Sequence, residues 1–133
     1  MKKITAFFKF GLIAIGLSLF TQIGNAQTMG PLWGMTGGGG DSSGGVIFKY
    51  NTFTSNDSVV YGFAKTASNP NASLIQATDG NLYGMTQNGG LGGFGVVFKS
   101  TTTGVVTILV NFNNTNGAYP QGSLIQATDG NLY

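Results

Sequence analysis

Cysteine, histidine, glutamate and arginine are all missing from this chain of 133 residues. Without cysteine no disulfide can brace the fold, so burial and strand pairing must hold it. Without His, Cys and Glu there is no side chain of the kind that usually serves as a base near neutral pH or as an activated thiol. Hydrolysis, transfer and lyase chemistry lose their usual participants. Only 8% of residues are charged: six lysines and the four aspartates Asp41, Asp57, Asp79 and Asp129.

Part of that small charge belongs to a leader. Lys2 and Lys3 precede an apolar run from Phe10 to Phe20, and Gly24-Asn25-Ala26 supplies a small-residue exit. The pattern predicts a secretory signal peptide over residues 1–26, cleaved before Gln27. The run is shorter than the roughly 20 apolar residues a membrane helix needs, so no stable span is expected after cleavage. Cleavage removes Lys2, Lys3 and Lys9, leaving Lys49, Lys65 and Lys99 against four aspartates, a net of −1. The +2 of the whole chain is therefore no argument for a nucleic-acid partner.

What the chain does have is a repeat. Ser73-Leu-Ile-Gln-Ala-Thr-Asp-Gly-Asn-Leu-Tyr83 returns unchanged as Ser123 to Tyr133, an offset of 50. At the same offset Leu32-Trp-Gly-Met-Thr36 matches Leu82-Tyr-Gly-Met-Thr86, and Gly45-Val-Ile-Phe-Lys49 matches Gly95-Val-Val-Phe-Lys99. Phe63 matches Phe112 at an offset of 49, which places a one-residue insertion in the loop that follows. Residues 27–133 thus divide into a partial unit at 32–63, a full unit at 73–112 and a truncated unit at 123–133. The last unit is expected to be cut inside a strand, before the Gly-Met-Thr that completes it upstream.

The full unit predicts four strands: Leu74 to Thr78, Leu82 to Thr86, Val96 to Ser100 and Val105 to Phe112. In the last, alternation places Val106, Ile108, Val110 and Phe112 on one face and Thr107, Leu109 and Asn111 on the other. Neighbours such as Leu74 and Ile75, or Val96 and Val97, make both faces apolar, as in a sheet covered on two sides. Asp79-Gly80-Asn81 between two such runs signals a hairpin, because glycine accepts positive φ. The glycine-rich stretches 37–45 and 87–95 read as longer, flexible surface loops. The expected fold is all-β, built of tandem four-stranded antiparallel units. These are read as β-propeller blades of an incomplete propeller, with a β-solenoid as the alternative. For the chain alone, a few antiparallel sheets with open edges are expected, and a C-terminal strand is available to complete the first unit.

No catalytic, cofactor or metal residue emerges. Asp79 and Asp129 occupy one repeat position twice, which suits turn formation, and a calcium loop lacks its alternating oxygen ligands and terminal Glu. The glycine runs lack the Gly-Lys-Ser/Thr ending of a phosphate loop. Trp33 and Tyr83 share a repeat position, where exposed rings suit sugar stacking and buried rings suit packing between units.

These stretches resemble the bacterial GloVer tandem repeat found in choice-of-anchor tandem repeat proteins. Leu82 to Thr86, Gly89-Gly90, Gly95 to Phe98 and Thr78 to Tyr83 carry the likeness. Met35 and Met85 stand where that family has Thr, as do Val46 and Val96. The Asp-Gly-Asn-Leu-Tyr-Gly-x-Thr stretch is also similar to the blade signature of sensor-type and lyase-type propellers. The resemblance implies an extracytoplasmic, surface-associated repeat protein. The expected function is a secreted or cell-surface structural or binding module. Its partner is expected to be an extracellular ligand or surface component, with carbohydrate as one candidate. Two alternatives stay open: a carbohydrate-active or lyase-type enzyme whose catalytic residues lie beyond Tyr133, and a two-bladed lectin that closes by oligomerisation.

Overall fold

Runs of β-branched and aromatic residues, broken by glycine and Asx turns, produce nine strands and no helix among the described residues. The computed structural model describes residues 30–64 and 67–133, so the signal peptide expected over 1–26 lies outside them. Pro31–Tyr133 form one compact unit. β1 (Leu32–Thr36), β2 (Val46–Asn51) and β3 (Asn56–Gly62) make a first antiparallel sheet in that order. β5 (Ile75–Gln76), β6 (Leu82–Thr86), β8 (Val96–Ser100) and β9 (Val106–Asn111) make a second, in the order β5-β6-β8-β9. Short strands β4 (Ala67–Ser68) and β7 (Asn88–Gly89) pair with each other, tying the linker after the first sheet to a loop of the second. The fold is all-β; the full unit has four strands, but the one expected over Leu74 to Thr78 is only Ile75–Gln76, because Ala77 already closes the turn through Gly80 N to Ala77 O.

The two sheets share one register. Thr36 pairs with Val46 as Thr86 pairs with Val96, and Leu32 pairs with Tyr50 as Leu82 pairs with Ser100. Each sheet also carries a bulge at the same station. Val60 is the extra residue between the pairs Ile47–Tyr61 and Phe48–Val59, and Leu109 is the extra residue between Val97–Val110 and Phe98–Ile108. This corrects the simple alternation expected for β9. Val106 and Ile108 share a face with Phe98, but the inserted Leu109 turns Val110 to the opposite face, beside Val97. The step to an offset of 49 also has a location. The β2–β3 turn spans residues 52–55, whereas Thr101 N bonds Val105 O at 3.0 Å and leaves only 102–104 in the β8–β9 turn.

The glycine-rich loops are closed by their own backbone bonds. Gly45 N donates to Gly39 O at 3.1 Å, and Gly95 N donates to Gly89 O at 2.9 Å. Gly95 has φ +98°, and a Cβ there would meet Thr86 O and lie 2.8 Å from Pro120 Cδ. Gly45, at φ +99°, is held in the same way between Thr36 O and Pro70. Only glycine fits this conformation and this clearance together.

One face of the first sheet covers one face of the second. Ile47, Phe63, Leu82, Val96 and Phe98 form the buried core, with Trp33, Met35, Tyr61, Leu74 and Val106 packed against it. Tyr61, Phe63 and Phe98 stack edge to face, at centroid distances of 5.1 Å and 5.2 Å. Each such ring pair adds about 0.5–1.5 kcal/mol beyond the area it buries. Coverage explains why equal residues have unequal exposure. Leu82 is 0% exposed under the first sheet, while its counterpart Leu32, with no sheet over it, is 54% exposed. Likewise Phe98 is fully buried and Phe48 only half-buried. Val46 is buried on the open face too, where the Gly40 backbone closes over its Cγ1.

Phe98→Ala is expected to cost about 3–5 kcal/mol, the usual range for a buried aromatic. Phe48→Ala, at the same repeat position, is expected to cost less than half as much. Urea unfolding of both variants measures the difference, and equal losses would contradict the coverage argument.

Candidate functional site

The repeated segment Ala-Thr-Asp-Gly-Asn-Leu-Tyr builds the same side-chain arrangement twice. In the β5–β6 hairpin Gly80 N donates to Ala77 O at 2.9 Å and Ala77 N donates to Asn81 O at 2.9 Å. Gly80 takes φ +79°, which completes a three-residue turn with a glycine bulge. Asp79 then gathers three donors. Its Oδ1 accepts from Asn81 N at 3.0 Å, and its Oδ2 accepts from Asn81 Nδ2 at 2.7 Å and from the Tyr83 hydroxyl at 2.8 Å. Asp129 repeats the set with Asn131 N, Asn131 Nδ2 and the Tyr133 hydroxyl, all at 2.9 Å.

These bonds favour the charged carboxylates. The Asn81 side-chain amide, then its backbone N–H, then the Tyr83 hydroxyl hold Asp79 below its ordinary value. Asp129 is lowered by the Asn131 backbone N–H, the Asn131 side chain and Tyr133. The Tyr83 phenol is raised in turn, chiefly because its proton is committed to Asp79. Each carboxylate is thus an acceptor already engaged in closing its own hairpin, and the chemistry of the arrangement is that of a turn clamp.

The two rings proposed for ligand stacking have different surroundings. Trp33 is half-buried against the shared core, and Lys49 Nζ lies 5.6 Å from the centre of its ring. Tyr83 pairs across the sheet with Lys99 and is anchored at its hydroxyl by Asp79. The first copy departs from the Asp-Gly-Asn-Leu-Tyr segment at three positions together, with Met29, Pro31 and Trp33 in place of Asp, Asn and Tyr. The hydroxyl is lost where its carboxylate acceptor is lost.

A second set of contacts joins successive copies and was not foreseen from the sequence. Gln126 Oε1 accepts from Thr78 N at 2.9 Å, and its amide reaches Thr78 Oγ1 at 3.3 Å and Gly130 O at 3.0 Å. Ser73 N donates to Ser123 Oγ at 3.1 Å, directly between equivalent residues. The only signal was the unbroken identity of the two eleven-residue segments, which exceeds what strand and turn alone demand. A cavity of about 430 Å3 lies between the outer strands, lined by Tyr61, Ala67, Leu91, Val96, Ile108 and Asn111. Its walls are mostly apolar and hold no titratable group other than the Tyr61 phenol. Among the described residues no three metal-ligating side chains gather in one place.

A family model described as the Gloeobacter/Verrucomicrobia repeat matches residues 19–133. No curated protein and no solved structure matches the chain.

The shifts set a pH window for the clamp. A lowered Asp79 contributes stability above its ordinary 3.8, and loses it as pH falls through the lower folded value. A raised Tyr83 contributes below its ordinary 10.0, and loses it as pH rises through the higher folded value. Thermal unfolding followed across pH should show Asp79→Asn reducing the acid-side loss and Tyr83→Phe reducing the alkaline one. An acid limb unchanged in Asp79→Asn would refute the clamp.

Proposed function

Because the chain belongs to the Gloeobacter/Verrucomicrobia repeat family, we propose that it is an exported, non-enzymatic structural module. Its stacked sheets carry loops that engage an extracellular or cell-surface component, with carbohydrate as one candidate class. The observation that carries the non-enzymatic reading is the duplicated clamp. Asp79 and Asp129 make the same three bonds in two hairpins, so both are explained as turn formers. Asp41 and Asp57 are the other carboxylates, and no His, Cys, Glu or Arg exists in the chain to work with them.

The sheets are read as propeller blades. Support comes from the four-stranded order of the second sheet, the face-to-face packing of successive sheets and the gap between their outer strands. Export rests on the leader pattern of residues 1–26.

Expressed with its own leader in a bacterial host, the protein should be recovered outside the cytoplasm with Gln27 as its first residue, as read by mass spectrometry. The recovered material should then be retained on immobilised cell-surface polysaccharide. An uncleaved chain confined to the cytoplasm would overturn the export reading, and free passage over the polysaccharide would overturn the assignment of ligand class.

A further inference from the structure

Glycine follows asparagine at two places in the chain, Asn88-Gly89 and Asn116-Gly117. In such a pair the backbone nitrogen of the second residue readily attacks the side-chain amide of the first, because glycine carries no side chain to crowd the approach. The fold treats the two pairs differently. Asn88 and Gly89 form β7, half-buried and paired with Ser68 and Ala67, and Gly89 O accepts from Gly95 N at 2.9 Å. Extended backbone holds the glycine nitrogen away from the asparagine Cγ, so this pair is protected until its ladder opens.

Asn116 and Gly117 are exposed and lie outside any strand, in the linker that leaves β9. Seven residues separate Phe112 from Pro120 there, whereas six separate Phe63 from Pro70 and include no such pair. Gly117 takes φ +123°, and a Cβ on it would lie 3.2 Å from the Phe112 ring, so the position is kept for glycine. Its carbonyl accepts from Asn114 N at 3.0 Å, while its own N–H has no partner among the described residues. Asn116 Oδ1 accepts from Asn113 N at 2.9 Å, and Asn116 Nδ2 donates to Asn111 O at 3.1 Å. The Asn113 N–H thus sits on the oxygen that gains charge when Cγ is attacked, the role of a donor in an oxyanion hole.

We propose that Asn116 is a self-modification site: with Gly117 N as nucleophile and water as the only co-reactant, it converts to isoaspartate and aspartate. Gly117 N gives up its proton and bonds to Asn116 Cγ, the Cγ–Nδ2 bond breaks, and ammonia leaves behind a cyclic succinimide. Water then opens the ring. Opening at Cγ gives aspartate, and opening at the backbone carbonyl carbon routes the main chain through the side chain as isoaspartate. Either product adds a negative charge and removes the N–H bound to Asn111 O. Isoaspartate also lengthens the linker ahead of Tyr119, whose N donates to Phe94 O at 2.8 Å, and of Pro120, which lies against Gly95. The Asp-Gly pairs are held back from the same ring closure, since Gly80 N and Gly130 N donate to Ala77 O and Ala127 O at 2.9 Å and 3.0 Å. The proposal stands apart from export and from any carbohydrate ligand.

Trypsin cuts after Lys65 and Lys99, which puts Asn88 and Asn116 in separate peptides. The purified protein, incubated at neutral and mildly alkaline pH and sampled by peptide mapping with mass spectrometry, should gain acid at residue 116 several-fold faster than at residue 88. The rate should rise with pH, because Gly117 N must lose its proton, and both isoaspartate and aspartate should appear. In urea, with the β4–β7 ladder gone, the two rates should converge. Asn116→Gln, which must close a larger ring, should stay unmodified at this position over the same period. Three results would each overturn the proposal: Asn116 intact in the folded protein while the unfolded chain converts there, earlier conversion at Asn88, or aspartate without isoaspartate, the mark of direct hydrolysis.

Discussion

A sheet with two apolar faces cannot stand alone in water, and the covering of one sheet by the next is the constraint on which this molecule depends. Burial of the Leu82, Val96 and Phe98 face is what allows a chain without disulfides to hold a core at all. The surrounding features serve that contact. Phe63, just past β3, delivers its ring to Phe98, and the Asn69 carbonyl accepts from Gln87 N, so the linker follows the seam between the sheets. Gly104, at the β8–β9 turn, lies against the Val60 carbonyl of the bulge in the first sheet. A side chain there would push the outer strands apart.

Much of this was legible because the repeat states each local rule twice. Asp79-Gly80-Asn81 named its hairpin through the positive φ that glycine accepts, and the short β-type runs between turn residues named β6 and β8. The bulge was not legible. Nothing in Val106 to Phe112 marks Leu109 as the extra residue, since Leu109 and Val110 are equally apolar and pattern alone cannot choose which one is skipped. The Gln126–Thr78 latch was hidden for a related reason: a glutamine in a short strand reads as a solvent-facing residue until the neighbouring unit is in place. Backbone geometry before proline was hidden too. Asn69 and Tyr119 take φ +56° and +51° directly before Pro70 and Pro120, a conformation common for Asn and unusual for Tyr. The Tyr119 ring, stacked at 5.6 Å on Phe94, helps hold it there.

The candidate site ties its carboxylate into the hairpin that carries it. An Asp beside Gly and Asn, with a Tyr four residues on, has the composition of a small acid-base or cation site. Its geometry sends three donors, Asn81 N, Asn81 Nδ2 and the Tyr83 hydroxyl, to one carboxylate, and the backbone of the same hairpin closes around it. The joint change at Met29, Pro31 and Trp33 follows from this. The indole of Trp33 instead packs on the core and lies beside the Lys49 ammonium.

Stacking of like units also sets how stability is distributed. Each unit contributes its own hairpins and one interface with each neighbour, so the energy is close to a sum of local and nearest-neighbour terms. A unit covered on one side keeps its strands but holds its outer apolar residues at partial exposure, as Leu32 and Phe48 do. The same residue types at the covered station, Leu82 and Phe98, are fully buried. The difference between the two stations arises from neighbours and not from sequence, since the pairing registers are the same. A terminal unit is therefore less stable than an internal one by about the worth of one interface.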